Sequence, residues 1–305
     1  MPHRTTRPLA LLALGFLAAC SSSAPRDEPY KGPEEFVEPP SPDAAPIGKF
    51  LADFDTTMRL WNNRMLTARN EGQRREAREL ESIMGVQSVR RFDELVVQLQ
   101  TGPARNRQRA AAALGFSHAP AALSPLVGAL DDPDADVVHN ALLGLTLLGL
   151  PETPSEPVVA LMTDSGDPET RSNAAYALRT FVEAGQDPTP YLGAVRASLN
   201  DASGGVRVQC ALLVGLAADG PSVEKLSDML HASEPLVTHA AIEALKLIGL
   251  EDDPSKGEVA RALVTRWRSA DRNLAPRLRL AMAQLSGIDL GDEPAPWIEW
   301  AQKLP

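Results

Sequence analysis

Two cysteines, Cys20 and Cys210, are all that this 305-residue chain contains. That number excludes a disulfide framework and any zinc site built of cysteine alone. Aromatic residues are also scarce, at 5% against 44% hydrophobic residues overall. The core must therefore be packed from Ala, Leu and Val. Positive charge is in deficit: 30 Lys and Arg face 40 Asp and Glu, for a formal net charge of −10. Such a balance argues against nucleic acid as a partner, because a binding face for it needs a basic stripe. Beyond the N-terminal segment no apolar run approaches 18 residues, so no later span crosses a bilayer. The chain also lacks G-x-S-x-G, H-E-x-x-H, P-loop and G-x-G-x-x-G motifs, and no catalytic residue, metal or cofactor is expected. The charged fraction of 23% is ordinary for a folded chain and excludes wholesale disorder.

What is present begins with an address. His3, Arg4 and Arg7 make a positive segment, and Leu9 to Leu17 an apolar one too short for a bilayer of about 30 Å. Leu17-Ala18-Ala19-Cys20 comes next. This run resembles the bacterial lipobox. The resemblance implies that residues 1–19 are a lipoprotein signal peptide cleaved after Ala19. It also implies that Cys20 carries the lipid attachment, diacylglycerol on sulfur and an acyl chain such as palmitate on nitrogen. Anchoring by more than one chain fits a gain of about 0.8 kcal/mol per buried CH₂. The protein would then belong to the bacterial cell envelope, membrane-bound through lipid and exposed outside the cytoplasm. Ser22, where inner-membrane lipoproteins tend to have Asp, points to the periplasmic face of the outer membrane. Losing Arg4 and Arg7 with the signal takes the net charge from −10 to −12.

Residues 20–46 are rich in proline and acid, from Pro25 and Asp27 to Pro42 and Pro46. Proline favours extended backbone and like charges repel, so this stretch reads as a tether. From 47 to 89 the pattern turns helical. Phe50, Phe54, Met58, Trp61 and Met65 recur at three- and four-residue steps, with mixed Arg and Glu on a solvated face after them. This stretch is expected to be a helical neck that caps the N-terminal end of a larger helical array.

Between 90 and 290 the sequence repeats. Six segments (106–116, 136–150, 170–182, 206–218, 236–250 and 276–288) each place a small or apolar residue four places before a leucine. The pairs read as Ala110–Leu114, Ala141–Leu145, Ala174–Leu178, Leu212–Leu216, Ala241–Leu245 and Ala281–Leu285, with leucines spaced 31, 33, 38, 29 and 40 apart. Shorter apolar helices lie between them, for example 122–130, 190–199 and 222–230. Acidic turns such as Asp131-Asp132-Pro133-Asp134 are suited to cap the next helix. The unit is helix, turn, helix, about 34 residues long.

Asp201, Val206, Arg207, Ala211 and Leu212, and Asp164, Thr170, Arg171, Ala174, Ala177 and Leu178, carry a resemblance to HEAT repeats of the short bacterial, PBS-lyase-like type. It implies an all-α, right-handed α–α superhelix of about six repeats. The Trp, Gly-Tyr and late Pro positions of tetratricopeptide repeats do not recur. Residues 291–305 read as a C-terminal cap in which Trp297 and Trp300 cover the last repeat.

A solenoid offers a long surface along its second helices. Arg171, Arg207, His139 and His239 are the candidate partner surface, with Glu243 and Lys246 further along. His139 and His239 occupy equivalent repeat positions. HEAT-repeat enzymes that bind iron use His-Glu pairs, but Asn140 and Ala240 come after these histidines, so a metal site is not expected. Cys210 reads as a small buried hydrophobe. The function expected is a membrane-anchored, non-catalytic scaffold for an unidentified protein partner. The alternatives are an enzyme or enzyme accessory of the lyase-like or metal-dependent type, and a structural element binding the cell wall.

Overall fold

A computed structural model describes residues 45–305, and the signal segment, Cys20 and nearly all of the tether lie outside the described residues. The described residues form fifteen α-helices and no strand. α1 (Ile47–Thr67) and α2 (Glu71–Arg90) make the neck. Six helix pairs come after it: α3 (Phe92–Thr101) with α4 (Ala104–Phe116), α5 (Leu123–Gly128) with α6 (Ala135–Leu148), and α7 (Glu156–Asp164) with α8 (Pro168–Glu183). The second half has α9 (Leu192–Ser198) with α10 (Gly204–Leu216), α11 (Val223–Met229) with α12 (Pro235–Glu251), and α13 (Lys256–Arg268) with α14 (Ala275–Ser286). α15 (Pro294–Gln302) closes the array. Second helices stack in order, α4 on α6, α6 on α8, α8 on α10, α10 on α12 and α12 on α14, in a right-handed α–α superhelix.

The turns set each second helix in place. Asp134 accepts from the Asp136 N–H at 3.0 Å, and Asp167 accepts from Glu169 and Thr170, capping α6 and α8. Pro168 and Pro235 sit in the first turns of α8 and α12, where a missing N–H costs nothing. Ser203, before α10, does not cap with its side chain.

Small residues decide how closely the second helices approach. A Cβ placed on Gly115 would lie 2.4 Å from Gly144 Cα, and one on Gly215 would lie 2.7 Å from Ala244 Cα. These contacts put backbone against backbone across the seam. Ala110, Ala141, Ala174, Ala241 and Ala281 line it, and Leu114, Leu145, Leu178, Leu245 and Leu285 fill the gaps beside them, all buried.

The fourth repeat departs from the expected register. Its seam pair is Cys210–Val214, both fully buried, and not Leu212–Leu216. Cys210 lies three places after Arg207, as Ala110 lies after Arg107 and Ala174 after Arg171. A leucine does not fit where the backbones nearly touch, whereas a cysteine does. Leu212 is buried in the core beside the seam pair, and Leu216 keeps part of its surface in water.

The scarce aromatics are concentrated at the two ends. Phe54 and Trp61 meet Phe116 edge-on at 5.8 and 5.1 Å between centroids. At the other end Trp297, fully buried, stacks edge-on between Trp267 and Trp300 at 6.4 and 5.8 Å. Its indole N–H donates to Gly291 O. All four tryptophans therefore cover repeat faces that have no further repeat to bury them. Among the described residues no helix is long and apolar enough to cross a membrane.

Candidate functional site

Two different strips run across the repeats, and the sequence-predicted residues fall mostly on the first. It lies at the turns. Arg107 donates from Nε and Nη2 to the two oxygens of Asp132 at 2.7 and 2.8 Å, and from Nη1 to Gly102 O in its own turn. Arg171 repeats this geometry with Asp201, at 2.8 and 3.0 Å, and Ser165 O. Asp132 and Asp201 each also accept the N–H two residues on, from Asp134 and Ser203. Each arginine thus fastens its own turn to the next one. Arg207 continues the ladder with Glu234 and Asp201 O.

Between the Arg107 and Arg171 rungs the arginine place holds Val138, and the neighbouring His139 takes over. Thr170 Oγ1 donates its single proton to Asp167 Oδ2, so it accepts from His139 Nε2 at 2.8 Å. His139 Nε2 also lies 3.3 Å from Asp167 Oδ2. At the fifth second helix Thr238 donates only to Ala232 O of its own turn. A further cross-repeat pair, Arg196 with Asp219, sits at the opposite turns, where Ser222 adds a hydrogen bond to Asp219.

Arg171, Arg207 and His139 are therefore largely inter-repeat couplers, with side chains only 15%, 18% and 13% exposed. Their forks are directed at neighbouring turns, because those turns supply the carboxylates. His239 is half-buried on α12; burial, and then the Arg277 charge, lower its pKa. Glu243 pairs with Lys246 on the same helix. Cys210 is completely buried beside Met162, and burial pushes its thiol well above the usual range. Among the described residues no group of three or more His, Cys, Asp or Glu is placed to hold a metal.

The second strip lies on the second helices themselves and was not expected from the sequence. The residue just before the seam position is Asn140 on α6, Asn173 on α8 and Gln209 on α10, but Arg109, Ala240 and Leu280 on the other second helices. Three successive repeats thus carry a side-chain amide at one register, partly exposed at Asn140 and buried at Asn173 and Gln209. Three places further on stand Leu143, Tyr176 and Leu212, with Leu147, Thr180 and Leu216 one turn later. Asn140 spends one donor on Asp136 O, 2.9 Å away. Tyr176 lies under Arg179, whose guanidinium carbon is 4.8 Å from the ring centroid. Burial raises the Tyr176 pKa, so its hydroxyl stays protonated at neutral pH. The amides before Ala141 and Ala174 were a legible signal, but the two-residue slip at Cys210 hid Gln209.

Residues 92–181, from α3 into α8, match a family model described as HEAT repeats. A search of curated proteins finds no match. Among solved structures the chain is similar to Kap121p, at 16% identity and a TM-score of 0.53, over 77% of this chain and 28% of that one. It is also similar to a designed armadillo repeat protein, at 20% identity and a TM-score of 0.49, over 63% and 98% of the two chains. The complex of CpcE and CpcF of phycocyanin lyase from Nostoc sp. PCC7120 gives 17% identity and a TM-score of 0.41, over 51% and 98%. At these identities the likeness is one of fold.

The rungs carry a pH dependence. The hydrogen bonds from Arg107 and Arg171 hold the Asp132 and Asp201 carboxyls below their ordinary value. Their contribution to stability is full above the unfolded-state value near 4 and is lost as pH falls through the lower folded values. Arg171→Ala should cost about 1.5–3 kcal/mol at pH 7 in urea unfolding, the range for charged hydrogen bonds. The cost should shrink steadily below pH 4; a cost independent of pH would contradict the ladder's role.

Proposed function

We propose that this protein is a lipid-anchored, non-catalytic scaffold of the bacterial cell envelope that binds a protein partner along its second-helix row. The observation that carries this reading is the partly exposed row of Asn140, Leu143, Leu147, Tyr176, Thr180 and Leu216 along three successive second helices. An amide offers two donors and an acceptor, which matches the alternating N–H and C=O groups of an extended polypeptide. Neighbouring helix axes lie about 8–10 Å apart, close to the length of two to three extended residues at about 3.3 Å each. Successive second helices can therefore address one chain at regular intervals, with Asn140 as a polar contact and the apolar column taking its side chains. The turn ladder fixes the spacing on which such a match depends.

The anchoring half rests on Leu17-Ala18-Ala19-Cys20 and on the positive and apolar segments before it. A lipid on Cys20 with a proline-rich linker would hold the solenoid off the surface, on the periplasmic face of the outer membrane. The linker of residues 20–46 is long enough to reach several tens of Å at about 3.1 Å per residue.

In-cell photo-cross-linking from positions Leu143, Thr180 and Leu247 is expected to give discrete adducts with envelope proteins. The exposed positions Glu152 and Glu224, off this row, should give none. Equal adducts from both sets, or none from the row, would overturn the reading. Separately, Cys20→Ser should leave the chain with its signal uncleaved and without fatty-acid label. Normal maturation and detergent-phase partitioning of that variant would refute the anchor.

A further inference from the structure

α2 has a face that no neighbouring helix covers. Ile83, Val86 and Val89 recur every three residues along it, and they remain 51%, 51% and 56% exposed. Beside them lies a groove of about 700 Å³, floored by Gly85 and Phe116, with Arg78, Arg90 and His118 around its rim. Its one acidic side chain, Glu81, already accepts from the Trp61 indole N–H at 3.3 Å. The groove is thus apolar at its centre; at its edge Arg78 already pairs with Glu71 and His118 Nδ1 is bonded to Leu147 O, which leaves Arg90 to receive a carboxylate.

The first described residue, Ala45, is held at the residue after this groove's rim. Arg91, next after the rim residue Arg90, donates from Nη1 to Ala45 O at 2.7 Å. The same guanidinium pairs with Glu94 and lies 4.8 Å from the Phe50 ring centroid. Ala45 is therefore pinned at the C-terminal end of α2.

The preceding stretch has a complementary composition. Residues 21–44 carry six acidic and two basic side chains. Phe36-Val37 is its one pair of adjacent large apolar residues, and Glu34, Glu35 and Glu38 flank it. Phe36 lies nine residues before Ala45, so an extended backbone reaches about 30 Å. Val86 lies only four residues from Arg90, about 6 Å along the helix. The segment therefore reaches the groove with slack.

We propose that the segment Glu34–Glu38 docks on this face of α2. Phe36 and Val37 seat among Ile83, Val86, Val89 and Phe116, and a flanking carboxylate faces Arg90. The contact is intramolecular, with an effective concentration in the millimolar range, so a weak intrinsic affinity is enough to fill the site. Docking leaves residues 21–33 as the free linker in place of 21–44. The effect on reach from a membrane rests on the anchoring proposed above; the docking itself does not.

The test uses the full chain with p-benzoylphenylalanine in place of Phe36. Irradiation is expected to give an intramolecular adduct on residues 83–90 or 116–118, with a yield independent of protein concentration. Val86→Glu and Val89→Glu alter exposed side chains, so they should leave the thermal melt unchanged while cutting that adduct about tenfold, the effect of about 1.4 kcal/mol. An adduct elsewhere on the chain, between two copies or with lipid would overturn the proposal. So would no adduct at all.

Discussion

Everything in this molecule depends on how closely one second helix can approach the next. At Gly115–Gly144 and Gly215–Ala244 the backbones themselves are in contact, and no larger residue fits there. Ala or Cys at the seam and Leu or Val beside it are consequences of that approach. The core is then one continuous band from Leu51 to Ala301, and no repeat encloses its own. The low aromatic content is a consequence of the same constraint. Where backbones touch there is no room for a ring, so Phe181 is buried a turn beyond the seam pair of α8 and tryptophan is kept for the ends, where a repeat face would otherwise meet water.

The turn ladder depends on the seam as well. An arginine spans to the next turn only because the helices carrying the turns lie close together. Each rung then restricts the rotation of one pair against its neighbour, with the carboxylate held by both a guanidinium and a backbone N–H. The substitution of His139 for an arginine rung and the loss of a cross-repeat bond at Thr238 make the coupling unequal along the array. Leu143, Leu147, Tyr176, Thr180 and Leu216 on the second helices keep part of their surface while the ladder, on a different edge, carries the coupling between turns.

Much of this was legible in the sequence. Local helix signals and the repeat of Ala and Leu place all six second helices within a few residues of where they lie, because both are short-range features. The slip at the fourth repeat arose because leucine dominates the pattern, whereas the seam selects for small size, which Cys210 satisfies. The rung partners were not legible. Arg107 and Asp132, or Arg171 and Asp201, are 25 and 30 residues apart and meet only once the repeats stack. Arginines that look free in sequence are therefore mostly occupied in the fold. The amide register required the correct phase of every repeat, and one misphased repeat concealed it.

Native-state hydrogen exchange on Gly144→Val tests the dependence on the seam most directly. A side chain there would lie 2.9 Å from Ala111 O and from Leu126 Cδ2, so α4 and α6 must separate. Nearest-neighbour coupling predicts a loss of protection of about 1–3 kcal/mol in α4 and α6, fading through α8, with α12 and α14 unchanged. Protection lost equally in all second helices, or unchanged in α4 and α6, would contradict a structure governed by the seam.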